Sequence, residues 1–260
     1  MANLKIQQKF HKKKGLKFRH DLFDISLNRP KSISKSIMEA DTQGKKAIVF
    51  GASGFVGNYI LEGLLNDPDY DHVTVVVRKN LNVSNPKLVT LIGDYHSLPS
   101  LKDQIVADDV FISLGTTKKN TPDQKIYYEV DHDYPVLATQ IAKEKGAKSV
   151  FLVSAVGPDV GSSIFYVRTK AETERDVVAQ DLLHTHIFRP SMIMGNRQES
   201  RPMEKIFIKL FSLLNPLLIG PAQKYRGIKA KDIAKAMLSA AKKPAGKVKV
   251  YEWKEMNELL

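Results

Sequence analysis

The sequence contains no cysteine. Disulfides and thiolate metal centres are therefore excluded, which fits a reducing compartment. Long hydrophobic runs are also missing. The nearest, Ile206 to Ile219, is interrupted by Lys209, Asn215 and Pro216, so no stretch is suited to crossing a bilayer. Internal repeats and low-complexity linkers are absent too. Acid is scarce at one end only. Residues 1–37 hold ten Lys/Arg against Asp21 and Asp24, and residues 5–19 carry seven bases with no acid. Residues 38–260 hold 30 bases and 26 acids. The net charge of +12 is thus mostly a property of the leader. A nucleic-acid-binding globular face is not expected, and no metal is.

Four readings of the leader stay open: a disordered solvated tail, an extension upstream of a start at Met38, a targeting segment, and a polyanion-binding arm. It has no secretory hydrophobic core, and it is Lys-heavy where a transit peptide would be richer in Arg and Ser. Residues 1–44 are expected to be a disordered basic leader. Residues 45–260 are expected to form one domain, with 43% hydrophobic residues in the chain to fill its core.

Residues 46–57 read K-A-I-V-F-G-A-S-G-F-V-G. An apolar β-forming run ends in glycines at Gly51, Gly54 and Gly57, and a helical apolar pattern follows from Phe55 to Leu65. Strand, glycine turn and helix together form the context in which such glycines bind a dinucleotide. Gly51 permits the turn, Gly54 admits the pyrophosphate, and Gly57 allows helix and strand to pack closely. Gly51, Ser53, Gly54, Phe55, Val56 and Gly57 are the residues expected at the phosphates.

β and α patterns alternate from there. Val73–Val77, Leu88–Ile92, Asp109–Leu114, Ser149–Val153, His184–Phe188 and Val248–Tyr251 read as strands. Asp123–Lys145, Phe165–Leu183 and Asp232–Ala241 read as helices. The alternation predicts an α/β fold, a doubly wound Rossmann-type parallel sheet with right-handed crossovers. A small C-terminal substrate lid is expected from about residue 191. Its apolar Phe207, Leu210, Phe211, Leu213 and Leu214 suit either an apolar substrate or the core.

The residue after the second strand discriminates between nicotinamide cofactors. Here Arg78 and Lys79 follow, and a guanidinium there pairs with a 2′-phosphate. NADP(H) is therefore favoured over NAD(H). Asp94 after the third strand suits either the adenine amino group or a loop cap. Leu114, Gly115 and Thr116 after the fourth strand offer backbone contact with the cofactor.

Ser154 closes the fifth strand. Tyr166 and Lys170 lie four apart on the next helix and so share a face. Carbonyl reduction uses such a set: the phenol gives a proton to oxygen, and the serine polarises the carbonyl. An ammonium nearby is expected to lower the phenol from its usual value of about 10. Tyr225 and Lys229 match the same spacing but do not follow a strand ending in serine.

The glycine pattern and the Ser154/Tyr166/Lys170 set, in this order, resemble the short-chain dehydrogenase/reductase superfamily, in its atypical, extended-like branch. A closer resemblance is to the Tat-interacting protein family of oxidoreductase-like proteins. It rests on Leu114-Gly115-Thr116-Thr117, on Val130, Asp131, Asp133 and Tyr134, and on Phe188-Arg189-Pro190. It rests above all on Arg197-Gln198-Glu199-Ser200-Arg201-Pro202. It spans about Lys45 to Leu260. The resemblance implies NADPH in a Rossmann fold, with Pro190, Ser191 and Met192 near the nicotinamide carboxamide. It puts Asp131 where many members carry an asparagine. The expected function is an NADP(H)-dependent oxidoreductase acting on a carbonyl or alcohol of an apolar small molecule, in the cytoplasm. The alternative is an NADPH-binding sensor with little turnover. A protein partner or a homodimer stays open.

Overall fold

The computed structural model describes residues 44–195 and 217–260. The leader, the R-Q-E-S-R-P hexapeptide and the apolar residues Phe207 to Leu214 lie outside them. So do residues 196–216 of the expected lid.

Seven parallel strands form one sheet. They are β1 (Lys45–Phe50), β2 (Tyr70–Val77), β3 (Leu88–Ile92), β4 (Asp109–Ile112), β5 (Ser149–Val153), β6 (His184–Phe188) and β9 (Val248–Tyr251). Their spatial order is β3-β2-β1-β4-β5-β6-β9. The order reverses between β1 and β4. In such sheets that crevice, beyond the carboxyl ends of the strands, receives the ligand. A separate pair, β7 (Ile193–Met194) and β8 (Ile228–Lys229), lies beyond the main sheet's sequence pattern and was not expected.

Alternate residues of each strand feed two cores, as the pleat requires. Ala47, Val49, Val73, Val75, Phe111 and Phe151 face one side. There they meet Ile60, Leu61 and Leu64 of α1 (Gly57–Asn66) and Ile233, Ala234 and Met237 of α5 (Ala230–Lys242). Ile48, Phe50, Val110, Ile112, Val150 and Leu152 face the other. There they meet Tyr134, Ala138 and Ile141 of α3 (Tyr134–Glu144) and Val177 of α4 (Phe165–Ala179). The C-terminal stretch from Ile228 thus belongs to the core. Its small residues let α5 pack closely, and β9 completes the sheet. The chain ends in α6 (Trp253–Glu258), opened by a capping box between Glu252 and Glu255.

The expected helix Asp123–Lys145 is broken in a defined way. Asp123 caps α2 (Gln124–Tyr128) through its side chain. A π-turn then spans Glu129–Asp133, closed by the Tyr134 N–H donating to the Glu129 carbonyl, before α3 begins. Pro135 is the cause. It has no N–H to offer the carbonyl four residues earlier, and its ring would crowd that group. That carbonyl belongs to Asp131, and the Thr173 hydroxyl of α4 donates to it at 2.9 Å. The helix Phe165–Leu183 also stops early, at Ala179, where Asp181 turns the chain with φ of 59°.

One buried histidine sits in an aromatic ladder across the sheet. His186 stacks between Phe151 (4.9 Å) and Tyr251 (5.6 Å), and its Nδ1 shares a 2.7 Å hydrogen bond with the Tyr251 hydroxyl. Burial pushes its imidazole down to about 4. The unfolded chain binds this proton below about pH 6.5, and the folded chain only near pH 4. The stability due to neutral His186 is therefore complete above about pH 6.5 and is lost as pH falls toward 4. His186→Phe keeps the stack but strands the Tyr251 hydroxyl. It should cost about 1 kcal/mol at pH 7.5 and flatten the loss between pH 6.5 and 4, which reaches up to ~3 kcal/mol in the parent. Urea melts at pH 4.5 and 7.5 check this, and an unchanged pH slope in the variant would contradict it.

Candidate functional site

The glycine turn forms at the carboxyl end of β1, where the sheet order reverses. Gly51 holds a φ of +87°, and a Cβ there would lie 2.7 Å from the Ser113 carbonyl oxygen. The Gly54 N–H donates to the Gly51 carbonyl at 2.8 Å. A Cβ on Gly57 would lie 2.0 Å from that same Gly51 oxygen and 2.6 Å from the Ser113 Oγ. Helix α1 therefore enters against the backbone just past β1 and the Ser113 side chain just past β4. No side chain caps its first turn. Its N–H groups and positive dipole end face the turn in which an anionic group would sit. Ser53, Gly54 and Phe55 form the intervening loop, and Val56 takes the N-cap position. The helix thus starts at Gly57, two residues later than expected. Phe55 also packs on the small sheet: a Cβ on Gly195 would meet its ring at 2.7 Å. These features fit a dinucleotide pyrophosphate.

The other expected contacts surround the same crevice. Arg78 and Lys79 are exposed beyond β2. The charges of Arg78 and Asp94 both act on the Tyr134 phenol, which places the two near one spot. Asp94 is the loop cap: its Oδ1 accepts from the Ser97 N–H at 3.0 Å and the Ser97 hydroxyl at 2.9 Å. Those bonds hold its carboxyl below the usual range. Beyond β4, Gly115 is exposed next to half-buried Leu114, and the Thr116 N–H is turned inward. Pro190 is buried, and its carbonyl accepts from the Val156 N–H at 3.0 Å, joining the loops after β5 and β6.

Of the expected catalytic side chains, Lys170 lies beside Gly115: a Cβ there would stand 3.8 Å from its Nζ. Ser154 is buried, and its Oγ has no hydrogen-bond partner among the described residues. Tyr166 and Lys170 lie one turn apart in α4. The Lys170 Nζ lies 2.8 Å from the Asp131 Oδ1, with the lysine side chain 9% exposed and the aspartate 0%. The Thr116 N–H donates to the Asp131 Oδ2 at 2.7 Å. The π-turn is what aims Asp131 into this position. The turn is clasped to α4 by His132, whose Nδ1 lies 2.8 Å from the Asp133 Oδ1 and whose Nε2 lies 2.9 Å from the Asp176 Oδ2. Arg175 also bonds Asp176, and its effect, with that of His132, pulls that carboxyl down to about 2. Nearby, Arg189 grips buried Glu174 of α4 with contacts at 3.0 and 2.5 Å.

One expectation is corrected here. The Tyr166 phenol is raised rather than lowered. Tyr166 keeps 44% of its surface open, yet protein surrounds it closely enough that desolvation dominates. Lys170 pulls the phenol down while Asp131 pushes it up. The ion pair between Lys170 and Asp131 was not foreseen, since nothing in the local pattern joins two residues so far apart. Pro135 was the available signal for the turn that makes the pair, because a proline inside a helical pattern marks a break. Tyr225 and Lys229 are not a second such set. The first closes a 3-10 turn (Gly220–Tyr225), and the second lies in β8.

Comparison with known proteins agrees with the cradle. A family model described as NAD(P)H-binding matches residues 51–244. The chain belongs to this family. Among its curated relatives is the Aspergillus niger protein fmp52, mitochondrial, 32% identical over 216 residues, 78% of this chain and 92% of that one. Saccharomyces cerevisiae FMP52, mitochondrial, is 31% identical over 157 residues, 59% of this chain and 68% of that one. The expected resemblance to NAD(P)-binding proteins of this fold is borne out by the family match. Similar solved structures are MoeE5 with UDP-glucose and NAD (TM-score 0.60, 18% identity, 81% of this chain and 79% of that one) and Bordetella bronchiseptica WbmH with NAD+ (TM-score 0.62, 16% identity, 80% and 75%). Both share the Rossmann fold. The expected cytoplasmic location is overturned, because the relatives are named mitochondrial and point to mitochondria instead.

The cradle generates a stability test. Gly57→Ala drives a methyl group into backbone that cannot yield, and should cost at least ~2 kcal/mol and most of the dinucleotide affinity. Gly161→Ala is the control, since its Cβ would meet nothing closer than the Asp159 Oδ1 at 3.4 Å. Thermal melts and NADPH titration of both variants check this. Equal behaviour would contradict the close approach.

Proposed function

We propose that this NAD(P)H-binding chain is an oxidoreductase acting on a carbonyl or alcohol of an apolar small molecule. The observation that carries the proposal is that Lys170, one helical turn from Tyr166 in α4, lies beside Gly115 just past β4, while the buried Ser154 hydroxyl, without a hydrogen-bond partner among the described residues, follows β5. Gly51 to Gly57 would hold the pyrophosphate, and Gly115 would let the cofactor approach the end of β4. A bound reduced nicotinamide supplies a hydride. The chain's own residues do the rest. The unpartnered Ser154 hydroxyl donates to the carbonyl oxygen and polarises it. Tyr166 gives that oxygen its proton.

NADP(H) is the preferred cofactor in this reading. Arg78 stands beyond β2 with its charge directed toward the spot that Tyr134 and Asp94 also face. A guanidinium there complements a 2′-phosphate.

Two measurements test the reading. Tyr166→Phe keeps the ring and removes the acidic proton. It should lower turnover by ~100-fold or more while NADPH still binds. Tyr225→Phe should be silent. A panel of apolar aldehydes, ketones and quinones supplies the substrates, and equal rates in wild type and Tyr166→Phe would overturn the proton donor. NADPH bound tightly with no turnover of any panel member would favour a cofactor-sensing protein instead. For the cofactor, NADPH and NADH are titrated into wild type and Arg78→Asp. Wild type should prefer NADPH by about 10-fold or more, and the variant should lose that preference. Equal affinities in wild type would overturn the assignment.

A further inference from the structure

The Lys170 ammonium is already engaged. It sits 2.8 Å from a carboxylate oxygen on a residue with no exposed surface. That carboxylate is held from its other side by the Thr116 N–H at 2.7 Å, and the backbone carbonyl of the same residue by the Thr173 hydroxyl at 2.9 Å. Asp131 is thus fixed by the loop after β4, by its own π-turn and by α4. A charge pair this deep is not traded for a looser one, because separating it leaves a buried charge unpaired. The charged and titratable groups that act on Tyr166 among the described residues are Lys170 from its own helix and Asp131 from the π-turn. Tyr127 of α2 is close enough that, after its own burial and the Asp131 charge, Tyr166 adds to its cost of ionising.

We propose that Asp131 is a positioning residue that commits the Lys170 charge to a buried ion pair, keeps Tyr166 a phenol at neutral pH, and so suits the site to reducing carbonyls rather than oxidising alcohols. This rests on the proposed oxidoreductase function and gives it a direction. In the reductive direction the Tyr166 O–H bond breaks and its proton goes to the carbonyl oxygen. A hydride from the reduced nicotinamide dinucleotide goes to the carbon, and water returns a proton to the phenolate. The reverse reaction needs the phenolate from the start, and the Asp131 carboxylate opposes it. Burial is the main cause of the raised phenol described above, and the Asp131 push acts in the same direction against the pull of Lys170.

The test needs neither cofactor nor substrate. Phenolate absorbance is titrated in the full chain for wild type, Asp131→Asn, and each of these combined with Tyr166→Phe. Subtracting each Phe variant from its parent isolates Tyr166. In wild type Tyr166 should titrate at or above the ordinary value of about 10. Asp131→Asn keeps the shape and removes the negative charge, so the freed ammonium acts on the phenol. Its midpoint should then fall by about 1–3 units. A wild-type midpoint more than about one unit below the ordinary value overturns the proposal whether or not the variant folds. An unchanged midpoint in folded Asp131→Asn, judged by circular dichroism, also overturns it. If Tyr166→Phe proves catalytically silent, the oxidoreductase reading fails while the titration still reports on Asp131, so the two failures are distinguishable.

Discussion

The close approach of α1 to the ends of β1 and β4 is the constraint on which the site depends. Gly57 of α1 is pressed against the Gly51 carbonyl and the Ser113 hydroxyl, and Gly51 in turn against the Ser113 carbonyl. Any side chain at Gly57 would push the helix outward and turn its N-terminus from the crevice. With the helix seated, Ile60, Leu61 and Leu64 reach the sheet, and α5 packs on the same layer through its alanines. The packing of one core face and the aim of a helix dipole are therefore set by the same two residues.

On the opposite side of the crevice, a single proline has a similar reach. Pro135 forbids one helical hydrogen bond, the chain bulges, and Asp131 is turned into the interior. The cost of burying that carboxylate is met by Thr116 and Lys170. The carbonyl that the proline orphans is met by Thr173. The His132 clasp to Asp176 holds the bulge against α4. Lys170 is then part of an electrostatic pair before any ligand arrives, and Tyr166 is tuned by both members of it.

The central strands were legible because parallel strands buried on both faces are near-continuous apolar runs, as in β2, β4 and β5. Leu88–Ile92, Ser149–Val153, His184–Phe188 and Val248–Tyr251 have the bounds expected of them. Boundaries blurred where a run continued past its last ladder bond, as at Ser113 and Leu114. The π-turn was missed because the apolar periodicity of Val130, Tyr134, Leu137 and Ile141 carries through it. The two-residue strands β7 and β8 are too short to have a period. The cradle and the Tyr166–Lys170 face were visible because their spacing is local. The Asp131–Lys170 pair and the Arg189–Glu174 pair depend on how α4 lies against other elements, and no local pattern encodes that. The stretch from Ile228 was expected within a lid, and its place in the core was hard to see because α5 packs through small residues rather than large ones.

The central claim is that the crevice at the reversal of strand order holds one NAD(P)H. Calorimetric titration of NADPH into the full chain, paired with a thermal melt, tests it most directly. The account predicts one saturable site per chain. It also predicts a stabilisation that grows with ligand, about 2.7 kcal/mol when NADPH stands at 100 times its Kd. No binding heat and no rise in melting temperature with either NADPH or NADH would contradict the account.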